Sequence, residues 1–302
     1  MTDKSKIEWL DGGSTWNPMI GCEKVSDGCA RCYAERMAMR FRKPGMPFGG
    51  VVDRFGWTGL TRFFPERLEQ PFRWRRPRRI FTCSMGDLFH ESLTDEQIAA
   101  VFGVMAATPQ HQYVVLTKRL NRALKWFDAI AQKYLPWINM FARIISISEP
   151  IINIRSYFQP GYMGKRRGET PIEWPLWPLS NVIMCASVED QKTADERVPL
   201  LLKIPAKWRG VSVEPMLSGI NIGPWLLDED GLDVDGGWPQ NHDGLDLVIC
   251  GAETGPGKRP FKDDWALDLR DECRDADTPF FFKKDGAGKP TLCGVEYHEW
   301  VK

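Results

Sequence analysis

The chain lacks a long apolar run, a net charge and a second pair of closely spaced cysteines, and each absence closes off a class of protein. No stretch of its 302 residues approaches the roughly 20 consecutive apolar residues that cross a bilayer, which argues against a membrane-spanning protein. Residues 1–10 are charged and carry no apolar core of the kind an export signal needs, so a reducing, cytoplasmic setting is expected. Lys plus Arg and Asp plus Glu both number 40, giving a formal net charge of zero. That argues against broad attraction to nucleic acid and leaves only local patches for it. No Gly-rich phosphate turn follows the first strand-like segment, which counts against a dinucleotide-binding doubly wound sheet, the alternative architecture.

What the chain does have is a 43% hydrophobic composition, ample for a large core. Its 13 tryptophans and 22 prolines point to long structured loops. It also has a dense cysteine loop. Cys22, Cys29 and Cys32 fall inside eleven residues, separated by six and then two positions, in the polar, glycine-flanked stretch from Gly21 to Tyr33. A helix-like run, residues 34–41, follows at once. Three thiols cannot all pair as disulfides. Structural zinc usually takes four ligands in two short-spaced pairs, and the next cysteine, Cys83, lies far off in a strand-like run, so zinc here would need a distant fourth ligand. Three thiolates without an obvious fourth suit a four-iron four-sulfur (4Fe-4S) cluster with one iron open to a small molecule. S-adenosyl-L-methionine is the partner such a site takes, and radical chemistry is what the pair delivers.

The rest of the chain alternates two periods. Short apolar runs at residues 80–84, 113–117, 181–187, 210–215, 245–253 and 278–283 read as strands. Between them, Ile98, Val101, Phe102 and Met105 mark one helix, opened by a Thr94/Gln97 capping box and stopped at Pro109. Leu120, Leu124 and Phe127 mark a second. Ala194, Val198, Leu201 and Leu202 mark a third, and Trp265, Leu269 and Cys273 a fourth. Continuously apolar strands separated by amphipathic helices predict an α/β fold, a partial (β/α) barrel of parallel strands. One domain over residues 1–302 is expected, with insertions at about 131–176, as a lid or platform, and 228–244.

The working face of such a barrel is the C-terminal end of its strands. The residues there are Ser84 and Asp87, Lys118 and Arg119, Ser187 and Glu189, Ser212 and Glu214, Glu253, Lys283 and Lys284. A carboxylate there can hold an ammonium, a hydroxyl or carboxylate can hold ribose hydroxyls, and a lysine can hold a carboxylate or phosphate. Elsewhere, Arg73-Trp74-Arg75-Arg76-Pro77-Arg78-Arg79 is a basic run. It is either a solvated face or, with arginine interleaving tryptophan, a grip for nucleic acid. Cys83, Cys185, Cys250 and Cys273 sit in apolar or helical runs and read as core.

With these residues in hand, the chain resembles the radical S-adenosylmethionine superfamily, and within it a phage- and bacterium-associated three-cysteine family of unknown function. The matching pieces are Thr15-Trp16-Asn17-Pro18, Cys29-Ala30-Arg31-Cys32-Tyr33-Ala34, Met85-Gly86-Asp87-Leu88-Phe89, Leu116-Thr117-Lys118-Arg119, Ser187-Val188-Glu189, Ser212-Val213-Glu214-Pro215, Gly251-Ala252-Glu253-Thr254-Gly255 and Phe280-Phe281-Phe282-Lys283. They run in order through nearly the whole chain. Two features depart from the superfamily pattern. Six residues rather than three separate the first two cysteines, and the aromatic, Tyr33, follows the third cysteine instead of preceding it.

The resemblance implies a cluster on Cys22, Cys29 and Cys32, S-adenosylmethionine at the open iron, a 5′-deoxyadenosyl radical as the reactive species, and a reductant such as flavodoxin or ferredoxin. By strand position, Ser84, Asp87, Ser187 and Glu189 are the candidates to hold the cosubstrate. Lys118, Glu214, Glu253 and Lys283 are the candidates to face the substrate or relay protons. A nucleobase or nucleic acid is one candidate substrate, gripped through Arg73–Arg79. The competing readings are a zinc-stabilised nucleic-acid-binding protein without chemistry, and a barrel that has lost catalysis and serves as a scaffold.

Overall fold

The computed structural model describes residues 5, 7–133, 177–226 and 244–301. Both expected insertions, 131–176 and 228–244, lie outside the described residues except at their margins.

Nine strands are present among the described residues: β1 Ser14–Trp16, β2 Met19–Ile20, β3 Arg62–Phe63, β4 Arg79–Thr82, β5 Gln112–Thr117, β6 Val182–Val188, β7 Trp208–Val213, β8 Leu247–Cys250 and β9 Phe280–Phe282. The helices are α1 Tyr33–Met39, α2 Gln70–Arg73, α3 Asp95–Ala107, α4 Leu120–Lys133, α5 Gln191–Leu202 and α6 Asp263–Asp275. Seven strands make one all-parallel sheet in the order β1-β4-β5-β6-β7-β8-β9, curled into a half-barrel, while β2 and β3 pair antiparallel beside it. The order follows the chain because each strand is returned by a crossover, several of them helical, to lie beside the strand before it. The partial barrel of parallel strands is therefore what the sequence pattern called for.

Local signals explain the helices. Thr94 Oγ1 accepts from Gln97 N at 3.3 Å, and Gln97 Oε1 accepts from Thr94 N at 3.1 Å, so the capping box does start α3. Asp190 and Thr193 form a second box at α5. Its threonine hydroxyl also accepts from Glu189 N at 3.0 Å, which fixes the first residue past β6. Between β7 and β8 the described residues hold only a short 3-10 turn, Gly223–Trp225, so the strand–helix rhythm is broken there.

Strand side chains alternate faces with period two, and the sheet is buried on both. On the outer face, Ile80, Tyr113, Val115, Met184, Val211, Val248 and Phe282 pack with the helices in the larger core. There Phe102 stacks on Trp126 at 5.1 Å, with Phe89, Phe127 and Trp177 around them. On the inner face, Phe81, Val114, Ile183, Cys185, Leu247, Ile249 and Phe281 form a second core with Trp9, Leu10 and Val301. Trp9 packs on Phe81 at 5.1 Å and stacks on Trp300 at 5.9 Å. The segment ending the chain also covers the open edge of β9. Phe282 N donates to Tyr297 O at 2.8 Å and Glu299 N to Phe280 O at 3.2 Å, so this edge is not left unpaired.

Continuing each inner row towards the strand C-termini changes its chemistry. Val114 and Leu116 lead to Lys118. Ile183 and Cys185 lead to Ser187, Gly210 to Ser212 and Glu214, and Phe281 to Lys283. The same parity that builds the inner core thus puts hydroxyls and charges at its upper end.

A cavity at the strand C-termini

A cavity of about 390 Å³ opens above the inner core. Cys22, Cys29 and Cys32 line it, together with Ser84, Asp87, Lys118, Arg119, Ser187, Ser212, Glu214, Glu253 and Lys283. Every candidate site residue named from the sequence is on this wall except Glu189, which is fully buried just behind it. All eight cysteines are free. Cys83, Cys185, Cys250 and Cys273 are buried in the two cores, as their runs predicted, and Cys293 is exposed.

The cysteine loop is latched to four strand ends. At β6, Glu189 Oε1 accepts from Ser26 Oγ, from Gly28 N at 3.2 Å and from Lys118 Nζ at 3.0 Å; its Oε2 accepts from Arg197 Nη1 of α5 at 2.8 Å. Burial pushes the Glu189 carboxyl up, but Lys118, Arg197 and Ser26 together more than reverse this and hold it below the usual range. At β8, Glu253 takes Arg31 Nη1 at 3.3 Å and Arg259 through its backbone N at 2.8 Å and Nε at 3.1 Å. Beside it, Arg36 Nη2 of α1 donates to Thr254 O at 2.6 Å.

At β4, Tyr33 Oη donates to Ser84 O at 2.7 Å, while Asn17 bonds the Ser84 hydroxyl and accepts from Met85 N at 2.9 Å. Gly21, at φ 95°, donates to Met85 O at 3.1 Å, a left-handed turn that a side chain would strain. At β5, Arg119 Nη1 lies 3.7 Å from Cys22 Sγ and 3.2 Å from Asp87 Oδ2.

Asp87 is spent on the chain itself. Oδ1 accepts from Thr117 Oγ1 at 2.7 Å and Phe89 N at 3.0 Å, and Oδ2 from Lys118 N at 3.1 Å and Arg119. Glu214 and Lys283 instead pair with each other inside the cavity, Nζ to Oε1 at 2.6 Å. Ser187 and Ser212 stand side by side in register on β6 and β7, and neither hydroxyl has a hydrogen-bond partner among the described residues.

The thiols differ. Burial and Asp87 push Cys22 up to about 12 despite Arg119. For Cys29, burial is outweighed by Lys118 and by amides of its own loop, and its pKa is lowered. As placed, the side chains of the described residues do not gather three or more His, Cys, Asp or Glu groups around one point. What fits a soft metal is the donor set: three free, partly exposed thiols on one cavity wall, with cations beside two of them, and a fourth, Cys83, buried in the same lining.

The basic run lies at the other end of the sheet. Arg79 begins β4, its guanidinium 3.8 Å over the Trp300 ring, and Arg78 sits 4.9 Å over Trp74 and donates to Ser14 Oγ at 2.7 Å. Arg73 pairs with Glu69 at 2.8 Å. Arg78 and Arg79 are thus used in packing, while Arg75 and Arg76 are exposed; none of the run lines the cavity.

Several residues that shape the cavity were not singled out as site residues: Asn17, Ser26, Arg31, Arg36, Arg197 and Arg259. Of the six, only Asn17, directly after β1, stands at a strand end, the positional signal by which Arg119 was named beside Lys118.

Fold and cavity together define an open (β/α) half-barrel whose ligand-sized recess lies at the strand C-termini, under a cysteine loop. The chain belongs to the family described as Protein of unknown function (DUF5131), which matches residues 4–296. No curated protein and no solved structure matches it.

Proposed function

We propose that this protein is a radical S-adenosylmethionine enzyme whose Cys22, Cys29 and Cys32 hold a 4Fe-4S cluster at the mouth of the half-barrel. The observation that carries this reading is the sorting of the cysteines. The three loop thiols, each partly exposed, share one cavity wall with strand-end hydroxyls and charges, while Cys185, Cys250 and Cys273 are buried in apolar cores away from it and Cys83, which also borders the cavity, is buried with its thiol pushed up by that burial. When bound, a cluster of this type with S-adenosylmethionine supplies one-electron cleavage of a sulfonium and a 5′-deoxyadenosyl radical.

The residues of the chain then divide the work. Arg119, anchored by Asp87, sets a positive charge against Cys22, and Lys118 does the same for Cys29. Ser187 and Ser212 offer hydroxyls to a polar ligand lying on the inner sheet face. Glu214 and Lys283 form a pair that can part, the carboxylate to hold an ammonium and Lys283 Nζ to hold a carboxylate. Glu189, Glu253 and Asp87, whose oxygens accept bonds from the chain, hold the loop and Arg119 in place.

The test is iron and sulfide content and the visible spectrum of protein purified without oxygen. About four irons per chain and a brown chromophore bleached by dithionite are expected. Cys22→Ala, Cys29→Ala and Cys32→Ala should each lose the chromophore and Cys273→Ser should keep it. A colourless protein carrying one zinc would overturn the reading.

A further inference from the structure

Seven of the eight large apolar side chains exposed among the described residues come from one segment, residues 25–60. Monomeric proteins rarely gather exposed apolar groups in one place without a use for them. This segment begins in the cysteine loop, continues through α1 and then forms a folded flap. The flap is tied to α1 by Glu35, which accepts from Trp57 N at 3.0 Å, and is closed on itself by Thr58 N to Val51 O at 3.1 Å. Tyr33 and Trp57 carry its surface onto the cavity wall.

The same segment carries a net positive charge on a chain whose formal charge is zero. Residues 25–60 contain six arginines and lysines against three carboxylates. Of those three, Glu35 is buried and already paired with Lys24 at 3.0 Å. Arg40, Arg42, Lys43 and Arg54 are exposed, and none has an ion-pair partner among the described residues, although Arg42 donates to Met39 O at 2.9 Å. They alternate with Met37, Phe41, Met46 and Phe55, all exposed, and the Arg54 guanidinium lies 4.5 Å over the Phe55 ring.

We propose that α1 and the flap form a docking surface for single-stranded nucleic acid leading to the cavity mouth. Unpaired cations interleaved with exposed aromatic and thioether groups match a strand whose phosphates need positive charge and whose bases need flat apolar partners. A duplex, with its bases stacked inside, offers nothing to Phe41 or Phe55. The binding surface stands without the redox reading. Taking nucleic acid as the substrate class rests on that reading as well. The surface also moves the contact from Arg73–Arg79, at the far end of the sheet, to the end where the cavity opens.

The experiment is fluorescence anisotropy of labelled twelve-nucleotide DNA and RNA single strands, matched in sequence, titrated with the full chain at several salt concentrations. Binding should weaken as salt rises. The triple variant R40E/R42E/K43E should lose at least tenfold in affinity and flatten the salt dependence by about 2 in log–log slope, at roughly 0.7 per phosphate contact. Phe55→Ala should weaken binding roughly fivefold or more at every salt concentration while leaving the slope alone. The double variant R75E/R76E, at the other end of the sheet, should bind as the parent does. A preference for one arm identifies DNA or RNA as the source of the strand. No binding at 50 mM salt, equal binding by the triple variant, or displacement of the strand by polyglutamate at equal charge would overturn the proposal. Iron content is measured on the same samples. A protein that binds the strand but no iron fails the redox reading alone, and one that holds iron but no strand fails this inference alone.

Discussion

Glu189 is the residue on which the site turns. It is buried without exposure, and its two oxygens receive the cysteine loop, Lys118 of β5 and Arg197 of α5. The loop comes so close that a Cβ at Gly28 would stand 2.6 Å from Glu189 Oε1 and 2.8 Å from Lys118 Nζ. Gly28→Ala should therefore force this knot apart and lower stability by about 1–3 kcal/mol, read from urea unfolding. Glu189→Gln keeps the shape but leaves two cations facing a neutral amide, with an expected loss of about 3 kcal/mol. The folded-state pKa of Glu189 is depressed, so its contribution is present above the ordinary carboxylate range and is lost as pH falls through the folded value. The glutamine variant should thus show a flatter acid limb. A different result is expected at Ser187 and Ser212, whose hydroxyls hold no other residue among the described ones. S187A and S212A should leave the melting temperature unchanged and each weaken S-adenosylmethionine binding about fivefold, measured by calorimetry on cluster-loaded protein.

At the scale of elements, the turn that brings α3 back into β5 is held by buried polar groups. Thr108 Oγ1 meets Tyr113 Oη at 2.6 Å, and Asn181 Nδ2 donates to both Met105 O and His111 O at 3.0 Å. His111 Nε2 donates to Pro71 O at 3.0 Å, which makes Nδ1 the bare nitrogen, and Nδ1 is buried with no partner. Burial, reinforced by the nearby Arg78, lowers the His111 pKa despite that bond. The unfolded chain therefore takes up a proton first, near pH 6.5, and stability falls as pH drops from there towards the folded value. The unfolding midpoint of the parent should decline between pH 7.5 and 5.5. His111→Gln should decline less steeply over the same range, with His90, also lowered, keeping part of the slope.

For the whole molecule, the half-barrel is plugged at one end and open at the other. Trp300 closes the plugged end. It stacks on Trp9, lies at 90° to Phe281 at 6.1 Å, carries Arg79 over its ring and donates from Nε1 to Gln112 Oε1 at 2.8 Å. One side chain thus ties together residues at β4, β5 and β9. Trp300→Ala should cost about 3 kcal/mol in guanidinium unfolding, and cluster loading should stay intact because the cysteine loop is held by Glu189, Glu253 and Ser84 rather than by Trp300. An equal loss of iron would show that plug and cavity are mechanically one unit.

The sequence by itself determined the periods. Two-residue alternation in the strands, 3.6-residue spacing in the helices and the Thr94/Gln97 box are local signals, and they carried the parallel half-barrel and the helix α3 start because neighbouring residues alone decide them. The cysteine spacing marked the loop for the same reason. Strand parity also put Lys118, Ser187, Ser212, Glu214 and Lys283 on one face without any knowledge of contacts. The tertiary structure alone decided which charges are free. Arg31 meets Glu253 across 222 positions and Gly28 meets Glu189 across 161, and no local pattern encodes a partner that distant. In the basic run, which the sequence left open as a solvated face or a nucleic-acid grip, the arginines at 78 and 79 lie over tryptophan rings, whereas those at 40, 42 and 54, scattered among apolar residues, are exposed. A charge is committed or available according to what burial brings beside it, and burial belongs to the fold.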